Sequence, residues 1–310
     1  MLDLLGLSQS QSKLKTLRVM TLNLGGGVKN FDNSLDTPLT KSQLLTKLID
    51  EIRPDLIGLQ EVSQYLDADG KMHSMLRQVQ EGSRLEHRYY GETLSMTRHM
   101  MIAKDLMINA LFSDWYDWSK GNALLSRYPF SRLSNPQVEG APRNLPIFQP
   151  LAYEGTRNTD PRYVILTRLM KPPYPFILNL HLTTLVGERG PKAWKDTIDA
   201  ARLTRAQQIT RVVNLIESHI LEKGEPIILL GDFNAAPEEY TLKEMLVTEN
   251  GFVRLVPKQD VTTHENAGIV DHIFFSPKSR LKSYTCEVVD TGLARQVSDH
   301  LPVVADIEFE

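Results

Sequence analysis

The sequence predicts an α/β protein, and three stretches carry that prediction. Ile227, Ile228, Leu229 and Leu230 are four consecutive large aliphatics, too few for a helix and closed by Gly231, and so read as a strand buried on both faces. The longest helical pattern, Ile198 to Leu221, leads straight into that strand, with Ile209, Val212, Val213, Ile216 and Ile220 as its buried stripe and Lys223-Gly224 at its stop. Near the other end of the chain, two short apolar strands flank an amphipathic helix, which is the pattern of a crossover unit between neighbouring parallel strands.

In order, Leu17 to Leu24 alternates as a strand, ends at Gly25-Gly26-Gly27, and carries Asn23 at its carboxyl end. Thr40 with Gln43 three residues on forms a capping box, after which Leu44, Leu45, Leu48, Ile49 and Ile52 repeat at helical spacing until Pro54. Asp55 to Gln60 is the next strand, and Glu61 follows it directly, so Asn23 and Glu61 are expected at the same edge of adjacent strands. Residues 62–120 are the hardest to assign. Met72 to Glu86 and Thr93 to Phe112 carry helix-forming residues, and the segment reads as a long helical insertion whose Met and aromatic side chains suit a core as well as a binding surface. Gly121 to Pro129 resumes as a strand, followed by strands over Arg162 to Met170 and over Pro175 to Thr184, the second bearing His181. A short helix near Glu238 to Val247 precedes strands Ile269 to Ser276, with Asp271 and His272, and Leu281 to Val289. Ser298-Asp299-His300 sits just before the last strand, Leu301 to Phe309.

The chain has 310 residues, 41% hydrophobic and 24% charged, with no Pro/Gly/Ser-rich linker, and is read as a single domain over 1–310. No apolar run reaches membrane-spanning length, and Met1 to Ser12 lacks the features of a signal peptide, so a cytoplasmic location is expected. Cys286 is the one cysteine, which excludes an intrachain disulfide and a multi-thiolate zinc site. The formal charge of −3 argues against a dedicated polyanion binder, but the charge is unevenly spread. From Arg143 to Arg211 there are eleven basic against five acidic residues, and from Leu221 to Asp271 four against ten. A metal would favour the acidic half and a phosphate the basic half; two solvated surfaces of opposite sign fit the same counts.

Asp232 and Asn234 leave the central strand two positions apart, so both project into the crevice where open α/β sheets keep their ligands. A hard cation or a polarised water suits that pair, although Gly-Asp-x-Asn is also ordinary turn chemistry. The larger signal is the number of similar strand ends: Asn23, Glu61, His181, Asp232, Asn234, Asp271, Asp299 and His300. Carboxylate and amide oxygens without thiolates favour Mg²⁺ or Mn²⁺ over Zn²⁺, and the imidazoles and remaining aspartates supply acid, base and charge-stabilising groups for phosphoester hydrolysis.

Seven motifs, Met20 to Asn23, Leu59 to Val62, Gly121 to Pro129, Asn179-Leu180-His181, Gly231 to Asn234, Val270 to Ile273 and Ser298 to Pro302, occur in one order from about Leu17 to the carboxyl terminus. In that order the sequence resembles the endonuclease/exonuclease/phosphatase superfamily. The resemblance implies a four-layer α/β/β/α sandwich of two mixed β-sheets with outer helices, and a divalent-metal-dependent phosphoester hydrolase. It implies Glu61 as principal metal ligand with Asn23 beside it and Asp299 near the metal. Asp232 would position or deprotonate the attacking water, with Asn234 as its partner on the phosphate. His181 and His300 would contact phosphate, Asp271 orienting His300; whether aspartate or histidine is the base stays open. Arg127 matches a position where a basic side chain approaches phosphate.

The subgroup is less defined. Gly25 stands where abasic-site endonucleases carry an aspartate, and the tryptophan-cysteine-aspartate-arginine signature of inositol phosphatases is absent. A phosphodiesterase or nuclease on a polyanionic substrate is the leading expectation, with Arg189, Lys192 and Lys195 as substrate-binding cations and nucleic acid among the candidate partners. A phosphomonoesterase or lipid or inositol head-group hydrolase is the alternative, and an inactive binding module the alternative of another class. No obligatory protein partner is expected.

Overall fold

The computed structural model describes residues 12–25, 40–66, 69–99, 116–220 and 224–310. The first sheet has the order Leu281–Val288 (β13), Val303–Phe309 (β14), Thr16–Asn23 (β1), Leu56–Leu66 (β2), Tyr116–Ser126 (β5) and His87–Ser95 (β4), with Met72–Ser74 (β3) also paired to β2. The second runs Val253–Arg254 (β11), Asp271–Ser276 (β12), Ile227–Asp232 (β10), Phe176–His181 (β9), Arg162–Leu169 (β8) and Phe130–Ser131 (β6), with Arg143–Phe148 (β7) on β8. β1 and β2 are parallel, as are β9 and β10, and every other pairing is antiparallel, so both sheets are mixed.

The run of aliphatics in β10 explains the layering. Ile228 and Leu230 point between the sheets and join a core with Val19, Leu56 and Leu124 of the first sheet, while Leu229 joins Leu178, Phe274 and Val212 on the opposite face. Val212 belongs to the helix Lys195–His219 (α4), which covers the second sheet together with the π-helix Thr241–Glu249. Lys41–Ile52 (α1) and Met75–Glu81 (α2) cover the first through Leu44, Leu48, Leu76 and Val79. Four layers follow, helix, sheet, sheet and helix, because each strand of the middle pair has an apolar partner on either side. α1 begins at the expected capping box, Thr40 and Gln43 each bonding the other's backbone, and ends at Arg53, which adopts a left-handed conformation just before Pro54. None of the described helices is long and apolar enough to cross a membrane.

The expectation of a helical insertion over 62–120 is corrected for the described residues. β2 runs on to Leu66, and the part of the expected second helix that is described opens as strand β4 and then a single turn, Met96–His99 (α3). Only α2 lies within the first expected helix. Its seven residues stop at Gly82, and β4, paired along its length with β5, supplies the burial that decides the conformation beyond it. The remainder of the expected helix falls outside the described residues.

The two sheets are bonded to each other by a fully buried amide. Asn179 Nδ2 donates to the carbonyls of Leu59 (3.0 Å) and Ala123 (2.9 Å) across the interface, and its Oδ1 accepts from Gln60 Nε2 at 2.7 Å. Asn179→Ala strands three buried polar groups. At about 1 kcal/mol or more for each, unfolding in urea should show a loss of about 3 kcal/mol, against the small change expected of an Asn→Ala substitution at an exposed site.

His272 is buried on the other face of β12, where it packs edge-on against Phe233 and its Nε2 donates to Ala235 O at 3.0 Å. Burial pushes its pKa down to about 3. The ring therefore folds neutral while the unfolded chain takes up a proton below about 6.5. Stability from this residue is complete above that pH and is lost as the pH falls from there towards 3, at up to about 1.4 kcal/mol per pH unit. His272→Gln, which keeps a donor for Ala235 and has no titration, should flatten the decline between neutral and acidic pH in parallel urea titrations.

Candidate active site

Asp232 ends β10 and stands opposite His181 on β9 and Asp271 on β12, so the ladder sets three functional side chains in one row on the face that looks towards the first sheet. Gly231 makes the row possible. It holds φ +146°, and a Cβ there would lie 2.0 Å from Leu180 O. Asn23 reaches the same row from β1, donating from Nδ2 to Asp232 Oδ2 at 2.9 Å, while its Oδ1 accepts from Gly25 N.

Glu61 arrives by a different device. Gln60 faces the sheet interface, so strict alternation would send Glu61 to the helix side. Instead the β2–β5 register shifts between Leu59 and Val62, and Glu61 takes φ +56°, a left-handed conformation that a residue with a Cβ rarely adopts. The bulge turns its carboxylate into the crevice, with Oε1 3.9 Å from His181 Nε2.

Asp232 is the hub. Its Oδ1 accepts from Asn234 N at 2.8 Å, and its Oδ2 lies 3.4 Å from His181 Nε2 and 3.9 Å from His300 Nε2. Burial first, then the charge of Asp271, raises its pKa, against the pull of His300 and Asn23. His300 Nδ1 donates to Asp271 Oδ2 at 2.8 Å. Burial disfavours the charged ring, but Asp271, Asp232 and Asp299 outweigh it and hold His300 up at about 10. His181 is pushed the other way, well below the usual histidine range, by burial and then by Arg162 and Lys120. Two imidazoles in one crevice thus carry opposite protonation states.

The crevice, about 470 Å³, is lined by Asn23, Glu61, His181, Asp232, Asn234, Asp299 and His300 among others, and Asp271 stands behind His300. Arg189 is present too, with Nη2 bonded to Asn234 Oδ1 at 2.7 Å and to Asn234 O. Lys192 and Lys195 are exposed and do not line it. They lie beyond the turn that brings Arg189 inward, where the chain turns into α4. Arg127 is at the wrong end: β5 runs antiparallel to β2, so its last residues meet the start of β2, and Arg127 pairs with Asp55 at 3.3 Å. The cations that do reach the crevice are Lys120, Arg157 and Arg189. Lys120 sits on the first half of β5 and bonds Asp160 Oδ2 at 2.8 Å. The sequence starts the expected strand at Gly121, one residue past Lys120, and so leaves this side chain in the expected insertion, whereas β5 begins at Tyr116. Trp118, Thr184 and His264 also line the crevice and were not foreseen; His264 had only its residue type to mark it.

Among the described residues, two acid and imidazole clusters come within 4.8 Å, His264/Asp299/His300 and Asp232/Asp271/His300. Hydrogen-bond arithmetic argues against either as a cation cage. His264 Nδ1 accepts from Asn266 N at 2.9 Å, so the proton of the neutral ring is on Nε2 and no lone pair faces Asp299. His300 gives Nδ1–H to Asp271 and is held charged. The oxygen donors Glu61 and Asn23, with Asp299 half-exposed at the rim, are the set that fits a hard divalent ion.

The profile of the Endonuclease/Exonuclease/phosphatase family matches residues 20–300. No curated protein matches the sequence. Among solved structures, an endonuclease/exonuclease/phosphatase from Beutenbergia cavernae superposes with a TM-score of 0.63 at 18% identity, over 96% of this chain and 72% of that one. One from Bacteroides vulgatus gives 0.62 at 15% identity over 96% and 100%, and truncated Caenorhabditis elegans TDP2 gives 0.57 at 15% over 96% and 99%. At these identities the likeness is one of fold.

Glu61→Gly separates the strain from the carboxylate. Glycine accepts the left-handed backbone without the roughly 1–2 kcal/mol that a Cβ costs there, so the urea midpoint should stay level or rise while Mn²⁺ binding, followed by calorimetry, falls below detection.

Proposed function

The chain belongs to the endonuclease/exonuclease/phosphatase family, and on that premise we propose that it is a divalent-metal-dependent phosphoester hydrolase acting as a phosphodiesterase on a polyanionic substrate, with nucleic acid the leading candidate. The observation that carries the reading is the meeting of two donor sets in one crevice. Glu61 and Asn23 come from the first sheet, as does His300 from the loop before β14, while His181, Asp232, Asp271 and Asn234 come from the second sheet and the loop after β10. Mg²⁺ or Mn²⁺ held by Glu61 and Asn23, with Asp299 near it, would supply a Lewis acid for the phosphoryl oxygens.

The chain's own groups do the rest. Asp232, fixed by the amides of Asn23 and Asn234, orients the attacking water. His300 holds its charge through Asp271 and presents Nε2–H towards the position of a phosphoryl oxygen. Lys120, Arg157 and Arg189 surround the same space with positive charge, which suits a substrate bearing more than one phosphate. Arg189 also locks the amide of Asn234, so that its Nδ2 is left to Leu182 O and Asp232.

Hydrolysis of bis-p-nitrophenyl phosphate should require Mg²⁺ or Mn²⁺, stop in excess EDTA, and exceed that of p-nitrophenyl phosphate. Asp232→Asn should lower kcat by at least about a hundredfold with an unchanged melting temperature. Turnover undiminished by chelation would refute the metal reading, and a preference for the monoester would move the assignment to a phosphomonoesterase.

A further inference from the structure

His181 has a neighbour on the side away from Asp232. Arg162, at the start of β8, is 5% exposed, as is His181, and Arg162 Nη1 lies 2.9 Å from His181 Nδ1. A guanidinium has five N–H donors and no acceptor, so the nitrogen facing it has to offer a lone pair. A neutral imidazole with its lone pair on Nδ1 carries its proton on Nε2, the atom that faces Asp232 and Glu61.

We propose that Arg162 is a positioning residue that commits His181 to the Nε2–H tautomer, so that His181 serves the phosphoester as a hydrogen-bond donor and not as the acceptor of the water's proton. This rests on the hydrolase reading for the identity of the substrate, but the tautomer itself does not. The contrast with His300 makes the point chemically. There the group behind Nδ1 is a carboxylate, which demands a donor and leaves Nε2 to be set by the crevice. Behind His181 it is a cation, which demands an acceptor and leaves Nε2 no choice.

Arg162 is itself held. Its Nη2 lies 3.8 Å from Asp160 Oδ2, and the same oxygen accepts from Lys120 Nζ at 2.8 Å. Asp160 is only 4% exposed, so one interior carboxylate anchors both cations, the one that enters the crevice and the one that stands behind the histidine. Through that shared anion the tautomer of His181 is tied to the placement of Lys120. His181 is then not the base, and of the two groups that face each other at 3.4 Å Asp232 is the one able to accept a proton.

The test begins with the unaltered protein. Histidine ¹⁵N-labelled, metal-free protein at neutral pH is examined by long-range ¹H–¹⁵N correlation, with His181 assigned by its loss in His181→Asn. The Nε2–H pattern is expected; an Nδ1–H ring or an imidazolium overturns the proposal without any change at Arg162. Arg162→Gln then replaces a group that only donates by an amide able to donate or accept. The ring should become a mixture of tautomers, and kcat for bis-p-nitrophenyl phosphate should fall at least about tenfold with KM within about threefold. Arg162→Lys, again donor-only, should restore the Nε2–H pattern and part of kcat. A Gln variant that loses kcat while keeping a pure Nε2–H ring shows Arg162 to be merely structural, and one that keeps wild-type kcat overturns the proposal. Absence of hydrolysis by the unaltered protein with Mg²⁺ would refute the hydrolase reading and leave the spectroscopic result standing.

Discussion

The active crevice exists because two sheets are held at one separation and one register, and the fully buried amide of Asn179 bonds them at the centre, with Asn122 bonding Tyr163 O and Asn144 bonding Glu92 O elsewhere along the interface. The Asn179 amide spends both donors on carbonyls of β2 and β5 and its acceptor on Gln60, so every polar atom of a side chain with no solvent exposure is occupied. Gly58 lets the sheets close to that distance: a Cβ there would meet Leu230 Cδ1 at 2.3 Å and the Asn179 amide at 2.9 Å. Three bonds made by one buried side chain specify one arrangement, because any sliding of one sheet over the other leaves several groups unpaired together. Asn23 and Asp232 meet across the same seam a few residues further on, where Asn23 Nδ2 donates to Asp232 Oδ2 at 2.9 Å.

Environment, more than residue type, assigns the chemistry. Burial disfavours the charged form of both rings; Asp271 and Asp232 outweigh it at His300, while Arg162 and Lys120 add to it at His181, and the two rings sit on opposite sides of neutrality. The same division explains why Lys120 stays charged in the interior. Burial favours its neutral form, but Asp160 at 2.8 Å prevails. Asp160 in turn is held below the usual carboxylate range in spite of burial, by Lys120 first and Arg162 next. Pairs of this kind are costly to break, since removal of one member strands the other.

Much of the fold was legible because burial writes itself into sequence. β10 announced a doubly covered sheet by four aliphatics in a row, and α1 announced both of its ends through Thr40, Gln43 and Pro54. The acids, amides and imidazoles at strand ends were legible for the same reason, as polar groups that interrupt apolar runs. What was hidden depended on direction and distance. Lys120 lies on β5 and Arg127 just past its end, and the antiparallel pairing of that strand with β2 decides which of them meets the crevice. Glu61 owes its orientation to a bulge without a glycine to signal it. Lys192 and Lys195 are as basic as Arg189, but two residues of chain and a turn put them outside. Residues 62–99 misled because β4 contains Tyr, Thr and Leu at positions that satisfy a strand only when β5 lies beside it.

The Asn23–Asp232 bond spans the gap between layers, whereas the ladders within each sheet do not. A small increase in that gap, too small to disturb a single ladder bond, is enough to part them. Turnover should therefore be the first property to vanish under mild denaturant, while circular dichroism is still that of the folded chain. In that sense the crevice behaves as a gauge of the spacing between its two walls, and the enzyme can be idle without being unfolded.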